Sequence, residues 1–168
     1  LKGLYWQRKA LGKTVVVISA IEHHAILDPA QWLHDHEGAE IVTIAVDKYG
    51  AVDLKQLTEL ISKRADEIAL ISIMHANNET GVVQPIARVV ELANAASIPV
   101  HSDCVQSFGK VPLSFQELGL TDLTLSGQKF GGPLGIVVLV FQQSLEIPWL
   151  LHGGGQESEL RSGTLNAA

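Results

Sequence analysis

The sequence predicts an α/β fold of three layers, a mostly parallel sheet packed between helices. Hydrophobic residues make up 46% of the 168-residue chain and aromatic residues only 5%, so the core has to be built from Val, Ile, Leu and Ala. That is the composition of a parallel sheet buried on both faces. Short apolar runs rich in β-branched residues alternate along the chain with stretches of helical spacing, the pattern of strand–helix units. No linker, repeat or low-complexity stretch interrupts the alternation, and the length suits one domain better than two. Residues 1–168 are therefore read as a single domain.

Residues 14–20 (TVVVISA) read as a buried strand. Residues 28–36 follow with helical spacing, with Asp28 a candidate cap and Pro29 suited to a first turn. Residues 40–46 (EIVTIAV) form a second strand, and a turn over residues 47–50 leads into a helix over residues 53–64. Leu54, Leu57, Leu60 and Ile61 line one face of that helix. Residues 68–73 (IALISI) form a third strand that runs into the polar loop 75–81. Pro85 opens a helix to about residue 96, with Ile86, Val89, Val90 and Ala93 facing inward. Strands follow at residues 98–102, 121–125 and 135–141.

In open parallel sheets ligands bind at the carboxyl ends of the strands, and the polar residues cluster there. Asn77, Asn78 and Glu79 follow one strand, Asp103 and Gln106 a second, and Ser126, Gln128 and Lys129 a third. Lys129 sits between Ser126-Gly127 and Gly131-Gly132, a turn in which backbone can approach a ligand closely. A partly desolvated lysine loses its proton more readily and can attack a carbonyl. Pyridoxal 5'-phosphate (PLP) needs such a lysine, and it needs a carboxylate beside its pyridine nitrogen, a task for which Asp103 is placed. An isolated Asp at a strand end is otherwise a turn or cap carboxylate.

His23 and His24, after the first strand, are either solvated loop histidines or a source of an imidazole that stacks on a flat ring and moves a proton. No metal site is expected: the 7 His show no ligand spacing, and His34 and His36 stand two apart on a helix. Cys104 reads as a small packed residue, and Gly153-Gly154-Gly155 as a turn or, less specifically, a phosphate cradle. The net charge of -6, with 12 scattered basic residues, gives no footprint for nucleic acid. No apolar run reaches the roughly 18 residues of a membrane span, and a single cysteine fits a reducing, cytoplasmic compartment.

Five blocks then carry a more specific message: EHHAILDP (residues 22–29), SIMHANNETGVVQPI (72–86), HSDCVQSFGKVP (101–112), SGQKFGGPLG (126–135) and HGGGQESELRSGTLN (152–166). In this order, over nearly the whole chain, they resemble the cysteine desulfurases of the class V aminotransferase group, PLP enzymes of fold-type I architecture. The resemblance implies a PLP-dependent transferase-like large domain, present in part, in a homodimer with shared sites. It implies that Lys129 holds the cofactor covalently, Asp103 pairs with the ring nitrogen and Gln106 bonds the ring hydroxyl. His23 would stack on the ring and help move protons, and Asn78 would contact the ring side or the substrate carboxylate. Ser126 would help hold the phosphate, and Thr164 would reach the phosphate bound by the partner subunit. The implied reaction takes sulfur from L-cysteine, leaving alanine and an enzyme persulfide for a sulfur-acceptor protein, in iron–sulfur cluster assembly or thiolation.

The chain departs from the family in three ways. Gln128 stands where the family has a histidine beside the lysine, and glutamine hydrogen-bonds but does not titrate. The upstream phosphate-binding block and the small C-terminal domain, with its persulfide cysteine, are not in the sequence, so this stretch is expected to be an internal piece that does not desulfurate cysteine alone. An exposed apolar face is expected where the second domain and partner would pack. The alternatives are another class V enzyme, a selenocysteine lyase or aminotransferase, and a non-catalytic remnant whose role survives loss of Lys129.

Overall fold

The computed structural model describes residues 1–145, Pro148, and two two-residue strands, Gly155–Gln156 and Arg161–Ser162. Side chains alternate between the two faces of a strand, and in this chain that alternation sorts the core in two. From β1 (Val15–Ser19), Val15 and Val17 enter one apolar cluster, and Val16 and Ile18 enter the other. Helices α3 (Leu54–Arg64) and α4 (Ile86–Asn94) cover the first cluster through Leu57, Ile61, Ile86, Val89, Val90 and Ala93. Helices α1 (Lys2–Lys9) and α2 (His24–Glu37) cover the second through Leu4, Tyr5, Ile26, Ala30 and Leu33. The result is the expected three-layer arrangement.

The remaining strands of the main sheet are β2 (Glu40–Ile44), β3 (Ile68–Ser72), β4 (Val100–Asp103), β5 (Asp122–Ser126) and β6 (Val137–Phe141). Their order is β2-β1-β3-β4-β5-β6. Strands β1 to β5 pair in parallel, and β6 returns antiparallel to β5. The chain moves one way from β1 to β2 and the other way to β3, so the strand order reverses between β1 and β3. A crevice opens at such a point, at the carboxyl ends of the strands.

Two expectations about α2 are overturned. The helix begins at His24, and its cap is His23, whose Nδ1 accepts the N–H of Ala25 at 3.1 Å, so Asp28 caps nothing. Pro29 lies inside the helix and removes the N–H that the Ala25 carbonyl would have used. Burying Ile26, Ala30 and Leu33, one stripe at i, i+4 and i+7, outweighs that local loss, which is about 3 kcal/mol for an interior proline. Asp53 caps α3 through bonds from the N–H groups of Lys55 and Gln56, and Pro85 stands at the cap position of α4.

Helix α1, the four-residue helix α5 (Phe115–Leu118) and a four-residue 3-10 turn (Gly127–Phe130) were not expected from the sequence. All three are too short to show a hydrophobic period. Among the described residues strand β6 carries an exposed apolar face: Val137 is 70% exposed, and Ile136, Val138 and Leu139 are each exposed beside it. No helix among the described residues is long and apolar enough to cross a membrane.

Candidate functional site

A cavity of about 700 Å³ opens where the strand ends converge, beside the reversal point. That volume is of the size that takes a cofactor or small ligand. His23, Asn78, Asp103 and Gln106 line it, as do Ser126, Gln128 and Lys129. The sequence thus anticipated seven of the polar groups that the fold brings together, from the ends of four different strands. Ile26, Val105, Leu125 and Val137 add apolar wall. Thr164 lies outside the described residues, as do Gly153 and Gly154.

Asp103 is the last residue of β4 and only 7% exposed. Its Oδ1 accepts the N–H of Val105 at 2.9 Å, so the cap role and the cavity role coexist; among the described residues nothing donates to Oδ2. Burial pushes its carboxyl above the usual range, against the pull of the Val105 N–H and of His23. A buried carboxylate with a free oxygen and no cation to pair with is a site built for an incoming positive charge. Three residues on, Gln106 accepts a bond from Lys110 Nζ at 3.0 Å through its Oε1. Its amide N–H groups are left to face the cavity as donors.

His23 is exposed at the mouth of the cavity. Because Nδ1 accepts from Ala25, the neutral ring carries its proton on Nε2, the nitrogen that is free to meet a ligand. His24 Nδ1 instead meets Asp28 Oδ1 at 2.9 Å in an exposed hydrogen bond. Asn78 is placed by its neighbour. Asn77 is buried, its Oδ1 takes the N–H groups of Glu79 and Thr80, and its Nδ2 donates to the carbonyl of Ile21 at 3.0 Å.

Lys129 rides on the 3-10 turn that follows β5, and it is exposed. The desolvation expected of it is not provided by the described residues, because the turn lies at the outer edge of the sheet beside β6. The glycines around it serve the turn itself rather than ligand approach. Gly131 has φ +89°, and a Cβ on Gly132 would stand 3.0 Å from the carbonyl oxygen of Gly127, which accepts the Gly132 N–H at 2.8 Å. Phe130 packs edge-on against Phe108, ring centres 4.8 Å apart, tying the turn to the segment after Gln106.

Cys104 is fully buried in the core, as expected of a packed residue. Burial pushes its thiol up to about 11, and the Asp103 carboxylate adds to the rise over two opposing serine hydrogen bonds. A thiol in that state has almost no thiolate near neutrality and does not serve as a nucleophile.

Sequence reasoning missed Glu22. It precedes His23 and is 6% exposed; Oε1 accepts from Ser19 Oγ at 2.5 Å and from the Met74 N–H at 2.8 Å. Burial raises its carboxyl to about 7 against those two bonds, with Asp103 pushing the same way as burial. Nothing in the local sequence separates it from a solvated turn glutamate; only the fold buries it. Its effect on stability has a definite sign. The folded state holds the proton more tightly than the unfolded chain, so the stability it contributes is present below about pH 4.5 and is lost as pH rises to about 7. At about 1.4 kcal/mol per tenfold change in proton affinity, the loss is roughly 3 kcal/mol. Denaturant unfolding of wild type and Glu22→Gln across this range should show the difference between them changing by that order. The dependence left in the variant belongs to Asp103 and Asp122, which burial also raises, and, with the opposite sign, to His75 and His101, which burial lowers.

These groups fit the pyridine ring implied by the sequence: an acid for the nitrogen, an amide donor for the hydroxyl, an imidazole, apolar walls and an amine. Comparison with known proteins points the same way. The Aminotransferase class-V family profile matches residues 3–167. The chain is 39% identical over 170 residues to the "IscS-like cysteine desulfurase" of Mycobacterium tuberculosis, covering 100% of this chain and 43% of that protein. It is 42% identical over 166 residues to the "Cysteine desulfurase IscS" of Methanosarcina thermophila, covering 99% of this chain and 40% of that protein. The solved structure "SspA in complex with cysteine" superposes with a TM-score of 0.88 at 36% identity, covering 98% of this chain and 47% of that one. The chain therefore spans less than half the length of these relatives.

Proposed function

We propose, on the premise that this chain belongs to the aminotransferase class-V family, that it is the cofactor-holding core of a PLP-dependent cysteine desulfurase. The reaction removes sulfur from L-cysteine, leaving alanine and a persulfide for transfer to a sulfur-acceptor protein. The observation that carries this reading is the convergence of Lys129, Asp103, Gln106 and His23 on one cavity. Relatives named cysteine desulfurases, and a similar structure named as a complex with cysteine, support the substrate.

In this reading Lys129 Nζ would hold the cofactor covalently, Asp103 would accept from the ring nitrogen, and the Gln106 amide would donate to the ring oxygen. The Ser126 hydroxyl takes part of the phosphate, with Thr164 assigned to the phosphate of a partner subunit. His23 holds its proton at Nε2 over the ring, and Asn78 donates toward the ring side or the substrate carboxylate. Gln128, in the cavity lining beside the lysine, would contact the cofactor by hydrogen bonding but would move no proton. Bound here, PLP supplies an electron sink for a substrate that loses a proton beside its amine. Cys104, the one cysteine of the sequence, is too buried and too weakly acidic to take the sulfur, so that thiol comes from elsewhere in the assembly. A homodimer working in the cytoplasm, serving iron–sulfur assembly or thiolation, completes the proposal; the exposed apolar β6 supports association.

Borohydride reduction of the protein mixed with PLP, followed by digestion and mass spectrometry, tests the reading. A near-stoichiometric adduct on Lys129 is the expected result. Scattered low-level labelling of surface lysines in a folded protein would count against it.

A further inference from the structure

Glu22 is a buried acid that the cofactor reading leaves without a task. It lies where the strand order reverses, between the end of β1 and the loop after β3. From β1 it meets the Ser19 hydroxyl, and from the β3 side it meets the Met74 N–H, both on Oε1. Oε2 is buried and has no partner among the described residues. Beside this contact Asn77 Nδ2 grips the carbonyl of Ile21. Together the two stitches fasten the turn that presents His23 to the loop that presents Asn78, and both of those residues line the cavity.

Burial without a counter-ion favours the neutral state, even though the two bonds to Oε1 alone would favour the anion. An ionised carboxylate would leave one charged oxygen buried and bare, which is costly. A neutral acid keeps both bonds at its carbonyl Oε1 and leaves at Oε2 a hydroxyl without an acceptor, which costs less than a bare buried charge. Among the described residues the charged group acting on Glu22 is Asp103, at the end of β4, and no cation faces it; His23 acts on Asp103 instead. Two buried carboxylates this close do not both ionise readily.

We propose that Glu22 is a positioning residue for this cavity: a neutral carboxylic acid that holds the His23 turn on the Asn78 loop and leaves Asp103 as the anion of the cavity floor. The proposal rests on the reading of the cavity as a PLP site. The retention of its proton to about pH 7 agrees with the geometry. The negative charge then lies where a cationic ring nitrogen needs it, and the stitch keeps its strength while that charge forms.

Two arms test this, the first without cofactor. An infrared pH titration of the full chain should show a protonated-carboxyl band that persists to about pH 6 and is missing from Glu22→Gln. A wild-type spectrum with no band that depends on Glu22 overturns the proposal. In the second arm, Glu22→Ala should speed amide exchange at Met74 and weaken PLP binding about tenfold. Glu22→Gln keeps the Oε1 acceptor and should restore both. A folded alanine variant with wild-type exchange and affinity overturns the proposal, and if that variant does not fold the infrared arm decides. A wild-type protein that takes up no PLP defeats the reading of the cavity, whereas the infrared band still judges Glu22.

Discussion

Replacing Asp103 with alanine should weaken PLP binding by about a hundredfold to several thousandfold, read as the dissociation constant from titration of cofactor absorbance. The magnitude follows from leaving a buried cation unpaired, which costs about 3–5 kcal/mol. Asp103 is 7% exposed, its carboxyl is raised by burial, and no cation among the described residues pairs with it. The apo protein therefore bears a cost that an incoming positive ring nitrogen relieves. Asp103→Asn separates this role from the ordinary one. Asparagine keeps an Oδ1 to accept the Val105 N–H and so keeps the cap, while the charge is gone. If the asparagine variant binds PLP as tightly as wild type, Asp103 is a strand-end cap and nothing more. Weakening close to that of the alanine variant assigns the effect to charge.

Lys129→Ala should abolish the borohydride-trapped adduct, because of the two lysines in the cavity lining the other, Lys2, sits on α1 with its ammonium 3.4 Å from the centre of the Trp32 ring. Gly132→Ala should lower the adduct yield about tenfold or more while leaving the lysine in place. A Cβ at that position would stand 3.0 Å from the Gly127 oxygen and 3.2 Å from its carbonyl carbon, so backbone has to move. The turn that moves is the one that aims Lys129, and small misplacements of a reacting group are expensive. An alanine variant that traps PLP as efficiently as wild type would show that the turn tolerates the shift and that the glycine is incidental. A residual adduct in Lys129→Ala, localised to Lys2, would move the attachment point and with it the assignment of the site.

The residues of the candidate site are legible because they are coupled to strand ends, and strand ends are marked in the sequence. A run such as IALISI cannot continue into HANNETG, so Asn78 has to sit where the sheet stops. The same holds for Asp103 and Gln106 after β4 and for Ser126, Gln128 and Lys129 after β5. What failed was local. Asp28-Pro29 has the form of a helix start, but His23 captures the cap and the stripe Ile26, Ala30 and Leu33 draws the helix back by a turn. Whether Lys129 is desolvated is not legible either, since desolvation depends on what packs over a turn and not on the turn's own residues; among the described residues it is exposed.

By itself the sequence determined the α/β class, the strands and the convergence of polar groups at their carboxyl ends, because periodicity and turn chemistry act over a few neighbours along the chain. Only the tertiary structure decided the strand order, the reversal between β1 and β3, and the burial of Glu22 beside Asp103. Those depend on which segments meet across long separations, such as the 52 residues between Glu22 and Met74. A carboxyl group becomes a neutral buried acid through its surroundings, and its surroundings are assembled by the fold.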